Sequence, residues 1–405
     1  MAEPAGTEFT SVPSSAAVGM QLPSSLDLLP PLLRSIILEL RTILANRGII
    51  SAILVGSASR GEMDLCERGG TLKVRSDLEL YVACRSPRRM KHDLAPLIRT
   101  LENEYVGHWP EFHIDISWIS LRRFCRLPHW LRHFELKANG VTLAGRDIRD
   151  LVPEVGLHNL DWRELNEVVL WRLLGLVARL PADWLAGRAP SPPGLEHAMA
   201  RSLLDVTTWG LPGMGILLPT FRQRVERWAV PATQERTSTA GLIDGKRLTA
   251  CMECRGQTEC GLSADELLDL AVTNWTSAYD IVTGRRLWDH HGAGAGFRST
   301  DWLRRARAAF RTSRVSVPLA LHGIRKGSHA LAAAAAAGVA RAALELRTEG
   351  GQRMLEEVAE SLGVCSRASN PVDTWRGARN LLIQYIDRSL GRHEWSRLIP
   401  TSDRT

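Results

Sequence analysis

The chain has 405 residues, which at about 150 residues per domain predicts two or three domains, each large enough to bury its own core. Hydrophobic residues make up 44% of it and charged residues 23%, close to the averages of globular proteins. This composition excludes a globally disordered chain, a collagen-like repeat and a small disulfide-stapled scaffold. The net charge of +7 is mild for this length and does not by itself indicate a nucleic-acid partner.

The first 25 residues are rich in Ser, Pro, Ala and Gly and lack the basic and apolar segments of a signal peptide. We expect residues 1–25 to form a mobile tail. The seven cysteines are scattered, which favours free thiols in a reducing, cytoplasmic compartment. Every long apolar stretch is interrupted by charge, so no membrane span is predicted.

Residues 26–150 mix strand and helix patterns, which predicts an α+β domain with a mixed sheet. The predicted elements are a helix at 26–47, a strand at 49–55, a strand at 76–82, a helix at 88–106 and a strand at 112–118. The first strand is β-branched and ends at Gly56, and the other two alternate apolar with polar residues.

Residues 151–400 contain helical patterns and no convincing strand, so an all-α domain is predicted after the first one. The expected helices lie at about 161–180, 195–209, 263–287, 299–313, 328–347, 351–362 and 372–389. The Gly- and Thr-rich segment 231–261 is expected to be a loop or insertion. Several of the 13 tryptophans fall in these helices, where packing in a core explains them.

Three acidic residues, Asp77, Glu79 and Asp115, lie on the polar faces of two strands whose other faces are apolar. Because alternate side chains of a strand point the same way, Asp77 and Glu79 share a face. If the two strands are neighbours, three carboxylates converge and repel one another unless cations or protons neutralise them. Two Mg²⁺ ions suit such oxygen ligands, and the predicted chemistry is phosphoryl or nucleotidyl transfer.

Upstream, Gly56, Ser57 and Arg60 follow the end of the first strand. Glycine permits close backbone approach, serine offers a hydroxyl and arginine a fork of donors, all of which suit a triphosphate. With Ser76-Asp77-Leu78-Glu79 and Phe112-His113-Ile114-Asp115-Ile116 following in that order, the chain resembles the nucleotidyltransferase superfamily related to DNA polymerase β.

The resemblance covers about residues 50–150 and implies roles for seven residues. Gly56, Ser57, Arg60 and Ser76 would bind the nucleoside triphosphate, such as ATP, and Asp77, Glu79 and Asp115 would bind two Mg²⁺ ions. Relatives that modify small molecules, including aminoglycoside nucleotidyltransferases, append a helical domain. The resemblance therefore implies transfer of a nucleoside monophosphate to a small-molecule hydroxyl, with release of pyrophosphate.

The sequence departs from the family pattern in two ways. Glu79 stands where Asp is commoner, and an insert of residues 63–76, expected to be an exposed hairpin, lies between Gly61 and Asp77. Three alternatives remain open: a solvated acidic surface, transfer to RNA or to a protein hydroxyl, and a catalytically silent nucleotide-binding module.

Further candidates are less specific. The base that deprotonates the acceptor is not identified, and Glu164, Glu167 and Asp205 are available. Basic residues that follow the two acidic strands would add positive potential toward a triphosphate, or form solvated surface: Arg85, Arg88, Arg89, Lys91, Arg122, Arg123 and Arg126. Cys251, Cys254 and Cys260 resemble part of a zinc knuckle, although free thiols in a loop are the simpler interpretation.

Overall fold

In the computed structural model, the described residues are 26–284, with gaps at 28, 46, 69–70, 107–111, 193, 240 and 256–260, together with 371–390. The predicted tail at 1–25 and the helices predicted at 299–313, 328–347 and 351–362 lie outside them. In chain order, the elements are α1 (Pro31–Ala45), β1 (Ser51–Val55), α2 (Gly56–Ser59), β2 (Leu65–Arg68), β3 (Thr71–Val74), β4 (Leu78–Cys84), α3 (Pro87–Val106), β5 (Ile114–Ser120), α4 (Leu121–Phe124), α5 (Leu131–Asn139), β6 (Val141–Gly145), a 3-10 turn (Arg149–Leu151), α6 (Trp162–Arg179), α7 (Ala182–Leu185), α8 (Leu195–Gly213), α9 (Phe221–Trp228), α10 (Pro231–Thr239), α11 (Gly245–Glu253), α12 (Ala264–Gly284) and α13 (Pro371–Leu390).

These elements form two compact units. The first comprises the described parts of Met1–Glu62, Ser76–Cys125 and Asn139–Leu151, and the second comprises those of Met63–Arg75, Arg126–Ala138 and Val152–Thr405. The main junction lies next to the boundary predicted at residue 150. The β2–β3 hairpin and most of α5 nevertheless belong to the second unit, although the sequence pattern groups them with the first.

The first unit is built on a four-stranded mixed sheet with the order β5-β4-β1-β6. Strand β1 runs antiparallel to both of its neighbours, whereas β4 and β5 are parallel. Helix α1 contacts α3 and β6, and α3 contacts β4 and β5. The apolar residues of α1 recur at helical spacing, so its buried face is continuous: Leu33, Ile36, Ile37, Leu40 and Leu44.

The second unit is mainly helical and packs around one large apolar cluster. Four of the largest fully buried side chains are tryptophans, namely Trp209, Trp228, Trp275 and Trp375. The predicted α+β class, a mixed sheet accompanied by many helices, is therefore confirmed at this coarse level. None of the described helices is both long and apolar enough to cross a membrane.

The prediction of a loop at 231–261 is wrong for its described part, which contains α10 and α11. The Asp244 side chain caps α11 by accepting a hydrogen bond from the Arg247 amide. Helix α11 then buries Leu248 and Cys251 in the large cluster. Its few apolar residues suffice because neighbouring helices cover them, and such tertiary packing outweighs the weak local propensity of a Gly- and Thr-rich segment.

The same packing accounts for two of the three cysteines that resemble a zinc knuckle. Cys251 and Cys254 form no disulfide and are buried within the apolar cluster. Cys260 lies outside the described residues. The interpretation as thiols in a loop is thus half right, since these two cysteines keep their thiols but are buried on a helix and at its end.

The end of β6 depends on a glycine. Gly145 has a φ of +74°, and an added Cβ would lie 2.8 Å from the Ile50 carbonyl carbon and 3.0 Å from the Ser51 Cα. Both contacts are with backbone, which a side-chain rotation cannot relieve. Gly48 has a similar φ of +69°, but nothing lies within 4 Å of its added Cβ.

We predict that Gly145→Ala destabilises the protein by at least about 2 kcal/mol, because it adds a backbone clash to the strain of a left-handed residue. The matched control Gly48→Ala meets only that strain and is expected to cost about 1 kcal/mol. Urea denaturation followed by far-UV circular dichroism measures both variants. Equal midpoints for the two variants would contradict the close approach of β6 to Ile50.

Candidate acidic site on the parallel strands

The pairing of β4 with β5 places two of the predicted carboxylates side by side. In this parallel register Glu79 is the direct partner of Asp115. Neighbouring strands lie about 4.8 Å apart, and directly paired residues point to the same face of a sheet. Both residues are exposed. The convergence expected for Glu79 and Asp115 is therefore present at the level of the backbone.

Asp77 lies two residues before Glu79, immediately ahead of β4, and is half-buried. The Leu78 amide donates a hydrogen bond of 2.8 Å to the His113 carbonyl, which continues the pairing to the residue next to Asp77. By strand alternation Asp77 is on the face of Glu79. All three predicted acids thus lie at the amino-terminal ends of two adjacent parallel strands.

The same face is covered by an aromatic side chain farther along the strands. Tyr81 meets Phe124 edge to face, with the ring centroids 6.5 Å apart, and Phe124 is fully buried. Ala83 and Ile119, the next pair along this face, are buried as well. The polar end therefore keeps its carboxylates exposed while the other end of the face belongs to the core.

Gly56 and Glu79 are in close contact. Strand β1 pairs Val55 with Glu79, and Gly56 follows with a φ of +70°. An added Cβ at Gly56 would lie 2.9 Å from both Cδ and Oε2 of Glu79. The Glu79 carboxylate therefore occupies the space that a Cβ at position 56 would take, and the positive φ of this position favours glycine.

Arg60 is engaged by a neighbouring carboxylate. Its Nε donates a hydrogen bond of 2.8 Å to Glu62 Oε2, and the side chains are only 5% and 3% exposed. The Glu62 amide also donates to the Ser57 carbonyl, at 2.8 Å, which closes the turn after β1. The guanidinium in this arrangement holds the turn, and its contact with a triphosphate stays a prediction.

The two predicted serine ligands differ in accessibility. Ser57 is half-buried, whereas Ser76 is completely buried. The Ser76 hydroxyl in this conformation does not reach solvent. Its role in nucleotide binding, like that of Ser57 and Gly56, stays a prediction.

Among the residues that the structure describes, no group of three or more His, Cys, Asp or Glu side chains is placed to hold a metal ion. The backbone register pairs Glu79 with Asp115, whereas the described side chains are not grouped as the ligands of a metal ion. Carboxylate oxygens of the kind that Asp77, Glu79 and Asp115 carry are nevertheless the ligands that Mg²⁺ prefers. The donor chemistry fits this ion, while the Glu79 carboxylate rests on Gly56.

The basic residues that the sequence places after the acidic strands lie at the other end of the sheet. Arg85 follows β4 and Arg122 follows β5, whereas Glu79 and Asp115 are at the beginnings of those strands. Six residues at about 3.3 Å each separate Glu79 from Arg85 by roughly 20 Å. This distance exceeds two Debye lengths of about 8 Å at physiological salt, so these arginines add little potential at the carboxylates.

Glu102 and His113 form a pair that sequence patterns do not reveal. The His113 Nδ1 and Glu102 Oε1 atoms are 3.0 Å apart, and the Ile114 amide also contacts Glu102 Oε1, at 3.4 Å. These contacts connect the last part of α3 to the start of β5, next to Asp115. No spacing rule links residues 11 positions apart in this way, so only the fold brings them together.

In the second unit, Glu164 is a candidate base with a raised pKa. Burial raises this pKa to about 7, although the nearby Arg132 guanidinium and the Leu131 amide oppose the shift. The Glu164 carboxylate accepts a hydrogen bond from the Leu131 amide and lies 3.4 Å from Arg132 Nε. Asp205 instead forms an ion pair with Arg172 of α6. The side chain of Glu167 is not among those that the structure describes. The pKa of Glu164 suits a general base near neutral pH.

No protein-family model matches this chain, and comparisons with curated proteins and with solved structures likewise find no match. The resemblance to nucleotidyltransferases consequently rests on the residues described above.

We predict that Gly56→Ala is more destabilising in the wild-type background than in a Glu79→Ala background. In the wild type the added Cβ must displace the Glu79 carboxylate, whereas in Glu79→Ala only the backbone strain of a left-handed residue remains. Urea denaturation of the four proteins of this double-mutant cycle should give a coupling of about 0.5 kcal/mol, because the exposed Glu79 side chain can rotate away at small cost. Additive effects would show that Glu79 does not rest on Gly56.

We predict that the stability difference between wild type and Glu164→Gln depends on pH. The folded-state pKa of about 7 exceeds the ordinary value of 4.5, so the folded state binds more protons than the unfolded state between these values. Wild-type stability therefore falls as pH rises through this window, by up to about 3 kcal/mol relative to Glu164→Gln, and changes no further above it. Urea midpoints measured from about pH 4 to pH 8 test this, and parallel curves would contradict it.

Proposed function

We propose that this chain is a metal-dependent nucleotidyltransferase related to DNA polymerase β, which transfers a nucleoside monophosphate from a nucleoside triphosphate to a small-molecule hydroxyl. The observation that carries the proposal is the direct pairing of Glu79 with Asp115 on parallel strands, with Asp77 preceding the first of them. A second supports it: a glycine-serine turn follows the adjacent antiparallel strand, and its Gly56 touches Glu79.

Each residue has a defined part in the proposed reaction. Asp77, Glu79 and Asp115 would hold two Mg²⁺ ions, which supply charge neutralisation for the attacking and leaving oxygens. Gly56 allows the triphosphate to approach the backbone closely, and Ser57 offers a hydroxyl to it. The acceptor oxygen attacks the α-phosphorus, the bond to the bridging oxygen breaks, and pyrophosphate leaves. Catalysis then consists mainly of positioning and electrostatic stabilisation.

The proton of the acceptor hydroxyl requires a base. Burial raises the pKa of Glu164 to about 7, which lies in the range of a general base at neutral pH. Glu164, Glu167 and Asp205 stay candidates for this base. The choice of base and of acceptor does not affect the roles of the three carboxylates.

A second candidate function is a nucleotide-binding module without catalysis. It is favoured by two observations: no three carboxylates among the described residues are grouped for a metal ion, and Arg60 is held by Glu62. Such a module would bind a nucleoside triphosphate and transfer nothing. Transfer to RNA or to a protein hydroxyl would instead leave the chemistry unchanged and alter only the acceptor.

We predict that Asp77→Asn lowers Mg²⁺-dependent pyrophosphate release by at least about 100-fold, because it removes a charge that neutralises the metal ions. Glu104→Gln is the matched control, since Glu104 is an exposed carboxylate on α3 and its loss should leave the rate unchanged. Labelled triphosphates are incubated with a metabolite extract, and pyrophosphate and labelled products are measured by mass spectrometry. Circular dichroism establishes that both variants remain folded.

Three outcomes are decisive. A labelled product in the wild type and its loss in Asp77→Asn support the transferase. Calorimetric binding of a nucleotide with no labelled product supports the silent module. Equal turnover in wild type and Asp77→Asn would refute the assignment of the carboxylates.

A further inference from the structure

Six basic residues collect at the carboxyl-terminal end of β4 and β5. Arg85 follows β4 directly, and α3 begins two residues later, while α4 follows β5 without a break. We call this group the basic edge, and it consists of Arg85, Arg88, Arg89, Lys91, Arg122 and Arg123. The members come from two segments that are more than 30 residues apart in the sequence, so no local charge run reveals the group.

The topology brings the two segments together. Cys84 and Ser120, the last residues of β4 and β5, are direct partners in the parallel register. Parallel strands end at the same side of a sheet and lie about 4.8 Å apart. Arg85 directly follows the end of β4, and Arg122 and Arg123 follow Leu121 after the end of β5, so both segments begin at this side of the sheet. Both are in the first unit of the fold.

The basic edge is exposed and carries little compensating charge. All six residues are exposed. Among the residues that the structure describes, their single ion pair joins Arg89 to Asp93, with 3.6 Å between Nε and Oδ2 and an Arg89 side chain that is 85% exposed. Such a pair contributes little free energy and yields readily to a stronger anion. With Asp93 included, the edge keeps a net charge of about +5.

The side-chain chemistry favours phosphate as the partner. Five of the six cations are arginines, whose planar forks bind phosphate oxygens with two parallel hydrogen bonds. Several cations contributed by two segments can contact several phosphates at once, which a chain of phosphates offers and a single anion does not. A membrane surface fits less well, because interfacial binding also needs apolar anchors. The exposed large hydrophobic residues of the described chain, Leu97 and Leu151, are not in the basic edge.

We propose that the basic edge binds the phosphate backbone of a nucleic acid without reading its sequence. Phosphate contacts from arginine and lysine supply affinity and orientation but carry no sequence information. This binding does not require the proposed nucleotidyl transfer. Since roughly 20 Å of strand separates the edge from the carboxylates, each site acts without a direct electrostatic effect on the other.

The test is fluorescence anisotropy of the full chain with a labelled single-stranded RNA of about 20 nucleotides and mixed sequence, with duplex DNA as a second probe. An edge variant and a control variant each replace four exposed arginines by Gln. The edge variant carries R85Q, R88Q, R122Q and R123Q, and the control carries R47Q, R99Q, R188Q and R227Q. The two variants have the same net charge, so a difference in their RNA affinity shows which part of the surface binds the RNA.

We expect the wild type and the control to bind both probes with similar salt dependence. If the four arginines neutralise four phosphates, the wild type loses about 50-fold more affinity for RNA than the edge variant does between about 50 and 200 mM salt. The Asp77→Asn variant should bind RNA like the wild type. If Asp77→Asn loses nucleotidyl transfer but still binds RNA, the two sites act independently. The failure of one proposal can then be distinguished from the failure of the other.

Three results would overturn the proposal. The wild type binds neither probe at about 50 mM salt, or the edge and control variants lose RNA affinity equally, or vesicles with anionic headgroups bind at the edge while RNA does not. Circular dichroism of each variant excludes loss of folding as the cause. A poly-glutamate peptide that binds the wild type in place of RNA would likewise assign the edge to an acidic protein.

Discussion

The parallel pairing of β4 with β5 is the constraint on which the rest of the first unit depends. It makes Glu79 and Asp115 direct partners at one end of the two strands and ends both strands together at the other, where Arg85 and Arg122 follow. Hydrogen bonds between the backbones set this register, and the buried alternate residues hold it, because a slip by one residue would turn the acids into the core. One pairing thus separates charges of opposite sign by the length of the strands.

Glu79 connects this pair of strands to the turn after β1. Its carboxylate lies over Gly56, a residue whose positive φ and missing side chain make the contact possible. In the same turn Arg60 is buried against Glu62. Removing two charges from water is costly, so such a pair defines a geometry more than it adds stability. The turn after β1 is therefore part of the acidic site. Glu79 connects the two, because it contacts Gly56 in the turn and pairs with Asp115 on the neighbouring strand.

The second unit also contains buried charge in an otherwise apolar setting. Arg224, only 2% exposed, pairs with Glu135 and donates to the Thr208 hydroxyl and the Leu218 carbonyl. These contacts give each of the three guanidinium nitrogens an acceptor, which makes its burial tolerable. Glu164 has less compensation, and for this reason burial raises its pKa. Its remaining partners are the Leu131 amide and the Arg132 guanidinium.

The sequence by itself determined the elements whose periodicity is strong. The alternation in β4 and β5 placed Asp77, Glu79 and Asp115 on polar faces, and the buried strand before Gly56 and the long helices α6, α8 and α12 followed from the same kind of pattern. Such features depend on residues that are close along the chain, and the sequence gives their spacing directly.

Only the tertiary structure decided which strands are neighbours, that Glu79 contacts Gly56, and that residues 231–239 and 245–253 form helices rather than a loop. It also placed the basic residues at the opposite end of the strands from the acids, and it buried Glu164. These features depend on contacts between residues far apart in the chain and on the exclusion of water from between them. Their free energy is shared among many partners, so local propensity and spacing do not contain it.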